Sequence, residues 1–483
     1  MKNFITIIFI SLLTTASLTA QDTLWTKTYG GESAEGGRSV CLTEDGGFAI
    51  AGYTFSFGEG NADAYLIKTD SEGNELWSKT YGGTGSDYGY SICKASSDNG
   101  FIITGYTTSY GAGSKDVYLI RTNSNGDTLW TKTFGGSGLD IGMSVSETSG
   151  GNIVICGYTE SFGAGEDDIY IVKTDANGNF LWSETYGGTA LETGRSICVT
   201  SQDSLVFTGA TGSYGNGNQD TYTVKTDSAG NVEYEKTFGS SYYEHARAIN
   251  ELNSGGFIIT GYSLNSLMDV YIQKIDADGN QIWKKEINGD NSFYDIGNSV
   301  YELNSGNIVV CGATKSAVTS KNDLYLLCFN SQGTVIAEAI YGGVGSDWGN
   351  SVCETNDGNI LIAGYTNSYG NGSFDVWLLK IENSLPSNVG KKDINQFLNQ
   401  NYPNPFSEST TIQFSINNNE TGKLSIYNST GQLIKLFPEF SAGYHVVEWN
   451  KTDNGNNIIS SGIYFYQLST NRNSCIRKMV VLK

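Results

Sequence analysis

The chain has 483 residues, of which 39% are apolar and 16% are charged, and its formal net charge is −21. An acidic excess of this size disfavours nucleic acid and anionic membrane surfaces as partners, because both are bound mainly through Lys and Arg. The chain opens with Lys2, an apolar run over residues 4–13 and a small-residue stretch ending at Ala20. This order is typical of a secretory signal peptide, and the apolar run is too short to span a bilayer. We therefore predict a signal peptide over residues 1–20 and an exported mature protein without a transmembrane segment.

Seven copies of a unit of roughly 52 residues follow this segment. A motif of the form L-W-x-K-T-[YF]-G-G places one residue per copy at Trp25, Trp77, Trp130, Trp182, Tyr234, Trp283 and Ala337. A second marker, an aspartate before an apolar strand, recurs at Asp63, Asp116, Asp168, Asp220, Asp269, Asp323 and Asp375. The first tryptophan segment has no partner before it, and the last aspartate segment has none after it. The two ends therefore complete one unit, which predicts a closed ring.

Each unit contains four short strands, A to D, separated by glycine-rich turns, as in residues 38–81. Strands B and C are apolar on both faces, which requires a sheet that is covered on both sides. Four-stranded blades packed around an axis provide such burial. We predict an all-β fold with a seven-bladed β-propeller over residues 21–381, in which the N-terminal outer strand, residues 22–29, completes the last blade. An open solenoid, which would leave a sheet edge exposed, remains the alternative.

Eight cysteines in an exported protein would ordinarily suggest disulfides. Here six of them occupy two repeat positions, Cys41, Cys93, Cys198 and Cys353 at one and Cys156 and Cys311 at the other. Equivalent positions in different blades lie too far apart for a disulfide bond. We interpret these cysteines as buried small apolar residues.

The repeat segment GGTGSDYGYSICKASSDNGFIITGYT, residues 82–107, resembles the bacterial repeats called SBBP. That resemblance covers residues 22–382 and implies a seven-bladed propeller without implying an activity. A weaker likeness links TDANGNFLW, residues 174–182, to the tryptophan-docking repeat of quinoprotein dehydrogenases. In those propellers the docking tryptophans are structural, so no quinone cofactor is implied.

Residues 382–400 are polar and are predicted to be a linker, and residues 401–483 are predicted to form a small β-sandwich from alternating strands. This module resembles the type A C-terminal sorting domain of the type IX secretion system of Bacteroidota. The resemblance rests on ordered landmarks that include Asn401, Tyr402, Pro403, Asn404, Pro405 and Phe406, with Lys478 and Lys483 in the terminal KMVVLK. It implies the secretion machinery as a partner and a secreted or outer cell-surface location. A plain adhesive sandwich is the alternative.

Two sets of residues are predicted on the face where the D-to-A and B-to-C loops emerge. An acidic residue precedes each innermost strand, at Glu35, Asp87, Asp140, Glu192, Glu244, Asp295 and Asp347. These carboxylates could form a ring at the channel mouth that binds calcium or a cationic group, or each could accept hydrogen bonds from its own turn. An aromatic residue before glycine recurs at Phe57, Tyr110, Phe162, Tyr214 and Tyr369. These rings could bind sugars or could pack between blades.

The most unusual cluster combines Glu244, His245 and Arg247, because the propeller has no other histidine. Neither a metal-spaced histidine pair nor a G-x-S-x-G motif accompanies it. We therefore predict no catalytic residue, no metal site and no cofactor. The favoured function is a surface-displayed module that binds a glycan or a protein. A glycan-active hydrolase or lyase that uses paired carboxylates and a spacer or matrix protein are the alternatives.

Overall fold

The computed structural model describes residues 23–287, 294–315, 321–383, 397–398, 401, 404–416, 421–470 and 474–482. The predicted signal peptide, most of the predicted linker, and the sorting residues Tyr402, Pro403 and Lys483 lie outside the described residues. The larger of two compact units holds residues 21–335 and 339–388, and the smaller includes residues 336–338 and 389–483. All helix and strand structure in the described residues is β.

The larger unit contains seven four-stranded antiparallel sheets, which are the blades of the propeller. The strands in chain order are β1 (Thr23–Tyr29), β2 (Glu35–Leu42), β3 (Phe48–Thr54), β4 (Asp63–Thr69), β5 (Glu75–Tyr81), β6 (Asp87–Lys94), β7 (Phe101–Thr107), β8 (Asp116–Thr122), β9 (Thr128–Phe134), β10 (Asp140–Glu147), β11 (Ile153–Thr159), β12 (Asp168–Thr174), β13 (Phe180–Tyr186), β14 (Glu192–Val199), β15 (Leu205–Thr211), β16 (Asp220–Thr226), β17 (Val232–Phe238), β18 (Tyr243–Glu251), β19 (Phe257–Leu264), β20 (Met268–Ile275), β21 (Gln281–Ile287), β22 (Asp295–Glu302), β23 (Ile308–Lys315), β24 (Asn322–Phe329), β25 (Val335–Tyr341), β26 (Asp347–Glu354), β27 (Ile360–Thr366) and β28 (Asp375–Ile381). Blades 1 to 6 use four consecutive strands each from β2 to β25, and blade 7 consists of β26, β27, β28 and β1.

The N-terminal strand completes the last blade, as the sequence predicts. Strand β1 pairs antiparallel with β28, from Thr23 opposite Ile381 to Tyr29 opposite Val376. Blade 1 also packs on blade 7, because Ile50 and Leu361 belong to one buried apolar cluster. The two ends of the repeat array therefore meet in one ring. The seven cysteines of the propeller carry free thiols.

The repeated tryptophan joins each blade to the next one. A side chain at Gly73, in the C-to-D turn of blade 1, would collide with the Trp25 ring of blade 7. The Tyr29 hydroxyl adds a hydrogen bond of 2.6 Å to the Gly73 carbonyl oxygen. Equivalent glycines face the rings of Trp77, Trp130, Trp182, Tyr234 and Trp283. These tryptophans are thus structural, as the docking resemblance implies.

Blade 7 explains why Ala337 replaces tryptophan in blade 6. The third and fourth strands of blade 7, β28 and β1, come from opposite ends of the repeat array and are not joined by a C-to-D turn. Blade 7 therefore offers no turn glycine against which a ring at position 337 would pack.

The smaller unit is a sandwich of two sheets. Its strands are β29 (Phe397–Leu398), β30 (Thr410–Ile416), β31 (Gly422–Asn428), β32 (Leu433–Leu436), β33 (Gly443–Trp449), β34 (Gly462–Thr470) and β35 (Ser474–Val481). One sheet has the order β29-β30-β33 and the other has the order β32-β31-β34-β35. Phe414, Trp449 and Tyr466 are fully buried between them.

The blade-to-blade contact predicts a large stability loss for Trp77→Ala. Removing the indole that packs against Gly126 and Phe101 leaves a cavity between blades 1 and 2. We expect the free energy of unfolding to fall by about 3 kcal/mol, measured by urea denaturation. The control is Leu76→Ala, because the neighbouring Leu76 side chain is 55% exposed and should change stability by less than about 0.5 kcal/mol. Equal losses in the two variants would contradict the proposed role of the ring.

Candidate functional site

All seven predicted carboxylates begin the innermost strands and are at most 1% exposed. In the blade 7 to blade 1 junction, Glu35 accepts hydrogen bonds of 2.8 Å from the Gly31 backbone N–H and from the Thr54 hydroxyl. The same backbone bond recurs at four further junctions, from Gly83, Gly136, Gly188 and Gly343. The structure therefore places five of the seven carboxylates inside their loops, where they accept hydrogen bonds from backbone N–H groups. Ligand binding by them stays a prediction.

Each of these junctions also holds the strand C aspartate of the preceding blade. Between blades 1 and 2, Asp63 and Asp87 both approach Gly82, so that a methyl group there would contact both carboxylates. Burial, followed by the charge of Asp87, raises the pKa of Asp63 to about 6. Burial and a neighbouring glutamate also raise the pKa of Asp168 and Asp375. The repeated glycine thus makes room for two buried acids of like charge.

The five predicted aromatic residues are half-exposed and held in place. The exposed fractions of Phe57, Tyr110, Phe162, Tyr214 and Tyr369 lie between 44% and 48%. Tyr110 packs on Tyr118 of the same blade, with ring centroids 6.0 Å apart. Its hydroxyl donates a hydrogen bond of 2.8 Å to the Gly82 carbonyl oxygen of the preceding blade. We call these five residues the aromatic face.

The cluster predicted at Glu244, His245 and Arg247 is brought together only in part. Glu244 is buried with its carboxylate 3.6 Å from the Lys284 ammonium. His245 stacks on Tyr262 at 5.4 Å between ring centroids, and burial, followed by the charges of Arg195 and Arg247, lowers its pKa well below the usual range. Arg247 also lies over the Tyr262 ring, at 5.4 Å, and lines the central channel. His245 and Arg247 therefore share one aromatic ring, whereas Glu244 lies next to Lys284, and a ligand site at these residues stays a prediction.

A β-bulge in every innermost strand directs one residue into the central channel. The pairing of strands A and B shifts by one residue at the same place in all seven blades. A bulge leaves its extra residue unpaired and re-aims the side chain. The bulge residues are Arg38, Tyr90, Met143, Arg195, Arg247, Asn298 and Asn350, and all seven line one cavity. The sequence prediction included only Arg247 from this set.

The glycine of strand B makes the bulge possible. In blade 1, a side chain at Gly52 would overlap the backbone carbonyl oxygen of Gly36 in strand A. The same overlap occurs at Gly105, Gly157, Gly209, Gly261, Gly312 and Gly364. A sequence signal was present, because one strongly variable position lies between a small residue and serine or alanine in every copy.

The cavity has a volume of about 340 Å³ and a wall of hydroxyl groups next to the bulge residues. The hydroxyl oxygen of Ser351 accepts a hydrogen bond of 3.2 Å from the Val40 backbone N–H of the next blade. Equivalent bonds join Ser91 to Val145, Ser144 to Ile197, Ser196 to Ile249 and Ser299 to Val352. The serines of the channel wall therefore also connect each of these blades to the next one by a hydrogen bond.

The predicted sorting residues near the start of the smaller unit contact its last strand. Asn401 is buried, and its side-chain amide donates a hydrogen bond of 2.8 Å to the Thr410 hydroxyl. The Asn404 side-chain oxygen accepts a hydrogen bond of 2.8 Å from the Val480 backbone N–H. Phe406 is buried against Trp449, whereas Pro405 and Lys478 are exposed. Asn401 and Phe406 therefore belong to the core of the sandwich, and Asn404 connects this segment to the last strand, β35.

Comparison with protein families identifies this unit. Residues 400–482 match the family described as secretion system C-terminal sorting domain. The C-terminal unit is a type IX secretion sorting domain. This sorting domain marks a protein exported by the type IX system to the cell surface or the medium. None of the described residues forms a helix of the length and hydrophobicity needed to cross a bilayer.

Similar solved structures include PorZ, a surface component of the type-IX secretion system of Porphyromonas gingivalis, at 12% identity over 94% of this chain with a TM-score of 0.43. This chain covers 60% of the PorZ chain. A fungal alcohol oxidase of the AA5 family in complex with copper is 13% identical over 96% of this chain and 100% of its own, with a TM-score of 0.47. Sqt1 of Chaetomium thermophilum is 9% identical over 75% of this chain and 100% of its own, with a TM-score of 0.46. No curated protein matches the chain.

The crowded junction predicts that Gly82→Ala destabilises the propeller. The added methyl group would have to displace Asp63 or Asp87 from its position. We expect a loss of about 2 kcal/mol in the free energy of unfolding, measured in urea. The matched control is Gly150→Ala, where the methyl group would meet nothing within 4 Å and stability should stay within about 0.5 kcal/mol. Unchanged stability at Gly82 would refute the close packing.

The raised pKa of Asp63 predicts a pH dependence. Its pKa of about 6 exceeds the ordinary value of 3.8, so the folded state binds a proton more readily than the unfolded state. The resulting stabilisation is fully present below pH 3.8 and is lost as the pH rises through 6. We expect Asp63→Asn to raise the thermal midpoint at about pH 7.5 more than at about pH 4.5.

Asp70→Asn is the control for this measurement. Hydrogen bonds from Asn74 lower the pKa of Asp70, so the same substitution there should cost more stability at the higher pH than at the lower pH. If the change in thermal midpoint varied with pH in the same way for both variants, the folded state would not disfavour the charged form of Asp63.

Proposed function

We propose that the propeller is a glycan-binding module that the type IX secretion system delivers to the cell surface or the medium. The observation that carries this proposal is the aromatic face, in which five equivalent rings are 44–48% exposed. Exposed aromatic rings that recur at one position of the repeat indicate an interaction surface, and their flat apolar faces distinguish them from exposed aliphatic side chains. A spacer or matrix protein has no comparable need for them.

The rings are suited to binding because their positions are set in advance. Packing on the strand C aromatic residue restrains each ring, as for Phe57 on Tyr65 at 5.9 Å and Tyr369 on Trp377 at 5.8 Å. A restrained aromatic side chain loses little conformational entropy when a ligand binds. Its free side can cover the apolar C–H surface of a sugar ring.

The repetition of the rings favours a polymeric ligand. Five equivalent positions around the propeller offer several weak contacts to a chain of repeated sugar units. Once one contact forms, the others act at a raised effective concentration, so that modest single affinities multiply. A repeated binding surface therefore suits a repeated ligand.

Binding, as opposed to hydrolysis, is further supported by the state of the carboxylates. The predicted acids are at most 1% exposed, and five of them accept hydrogen bonds from their own loops. A glycosidase requires two carboxyl groups that reach the scissile bond. These acids instead support the loops that carry the rings.

The test applies the full chain to an array of neutral and acidic oligosaccharides and polysaccharides. We expect simultaneous replacement of Phe57, Tyr110, Phe162, Tyr214 and Tyr369 by alanine to weaken glycan binding by about tenfold or more. Replacing only the three tyrosines by phenylalanine keeps the rings and should keep most of the binding.

A matched control removes exposed apolar side chains from the outer strands. Leu76, Leu129, Leu181, Val232 and Ile282 are 48–55% exposed, and their replacement by alanine should leave binding unchanged. Equal loss in both sets would mean non-specific adsorption. Binding to no glycan, together with ring-dependent cross-linking to a surface protein, would replace the glycan by a protein partner.

A further inference from the structure

Three of the seven bulge residues are arginines, Arg38, Arg195 and Arg247, and all three line the same cavity. Their concentration is unexpected in a chain with a net charge of −21. The ion pairs in the described part of the chain involve other residues, and none of them joins one of these guanidinium groups to a carboxylate. Among the described residues, no carboxylate therefore forms an ion pair with any of the three positive charges in the channel.

Aromatic rings hold the arginines in place but leave donors unused. The guanidinium carbon of Arg38 lies 5.5 Å from the ring centre of Tyr53 and 5.7 Å from that of Tyr365. Arg195 and Arg247 are placed in the same way over other tyrosine rings, at 5.7 and 5.4 Å. Such contacts orient a cation without accepting a hydrogen bond in the guanidinium plane. The Nε atoms of all three arginines are buried and have no hydrogen-bond partner among the described residues.

The three groups also repel one another. Burial, followed by the charge of Arg195 and supplemented by that of Arg38, lowers the pKa of Arg247. Buried charge and unpaired buried donors both cost free energy. An arrangement with both features becomes favourable when an anion enters and pairs with the donors.

The surrounding wall supplies further donors. The serine hydroxyls of the channel accept backbone N–H groups, as Ser144 does from Ile197, which leaves each hydroxyl proton free to donate. The cavity of about 340 Å³ is larger than one phosphate or sulfate ion and falls within the size range of small-molecule sites. Its polar lining thus favours a small molecule that carries an oxyanion.

We propose that the central channel is a binding site for a small molecule bearing a phosphate, sulfate or carboxylate group, held by Arg38, Arg195 and Arg247. Guanidinium groups bind such oxyanions through paired N–H donors. The site is separate from the aromatic face, and its existence does not depend on glycan binding there.

The experiment measures thermal midpoints and calorimetric binding of the full chain with inorganic phosphate, sulfate and glucuronate, against chloride at the same ionic strength. A ligand that binds only the folded state raises the midpoint in proportion to the logarithm of its concentration above Kd. We expect such a rise with at least one oxyanion. The strongest of the three identifies the group that the site prefers.

Substitutions separate a binding site from a structural cluster. Arg195→Gln should weaken oxyanion binding by about tenfold or more, and the triple variant R38Q/R195Q/R247Q should abolish it. Lys285→Gln is the matched control, because it removes one positive charge from an exposed position of the outer strand β21 and leaves the channel lining unchanged. It should retain binding.

The stability of the ligand-free protein gives a second readout. If the three arginines repel one another in the folded protein without a bound anion, the triple variant should unfold at a higher temperature than the wild type in the absence of oxyanion. The substitutions remove this repulsion. Saturating oxyanion should then reduce or reverse this difference. A lower midpoint for the triple variant in chloride alone, or an oxyanion response equal in the wild type and the triple variant, would overturn the proposal.

The two proposals fail separately. Loss of the three arginines should leave glycan binding by the aromatic face intact, and loss of the five rings should leave the oxyanion response intact. An oxyanion response that disappears with the rings would assign both ligands to one site and overturn the separate channel site.

Discussion

The antiparallel pairing of β1 with β28 is the constraint on which the architecture depends. Strands B and C are buried on both faces, so each blade requires a neighbour on either side. A linear array cannot meet this requirement at its two ends, whereas a ring meets it everywhere. Once the ring is closed, seven innermost strands surround one axis, and the side chain at any inward position is repeated around a common channel.

The blade count and the closure were predictable, whereas the location of polar groups was not. The tryptophan and strand C aspartate markers recur at a spacing that only a repeated unit produces, and the unmatched markers at the two ends indicate the shared blade. The burial of Glu35 and its equivalents depends on which loop N–H groups point inward. The sequence shows that a carboxylate is near a turn. It does not show whether water or backbone N–H groups donate hydrogen bonds to the carboxylate oxygens.

Six of the seven channel residues were missed for a different physical reason. Strand reasoning assumes that side chains alternate between two faces, and a bulge interrupts this alternation without changing the composition of the strand. Nothing in the strand pattern therefore singled out Arg38. Its inward direction follows only from its unpaired register position between the pairs Gly37–Gly52 and Ser39–Ala51. Local variability between otherwise similar copies was the available clue.

The split of blade 7 between the two ends of the array also determines when the propeller can form. Contacts between Thr23 and Ile381 have a very large sequence separation, and such pairings form late because the intervening chain must first be ordered. Blade 7 cannot be completed before β28 is available, so β1 stays without its strand partner until the last repeat can fold. Ring closure is therefore the step of folding that needs both ends of the repeat array at once.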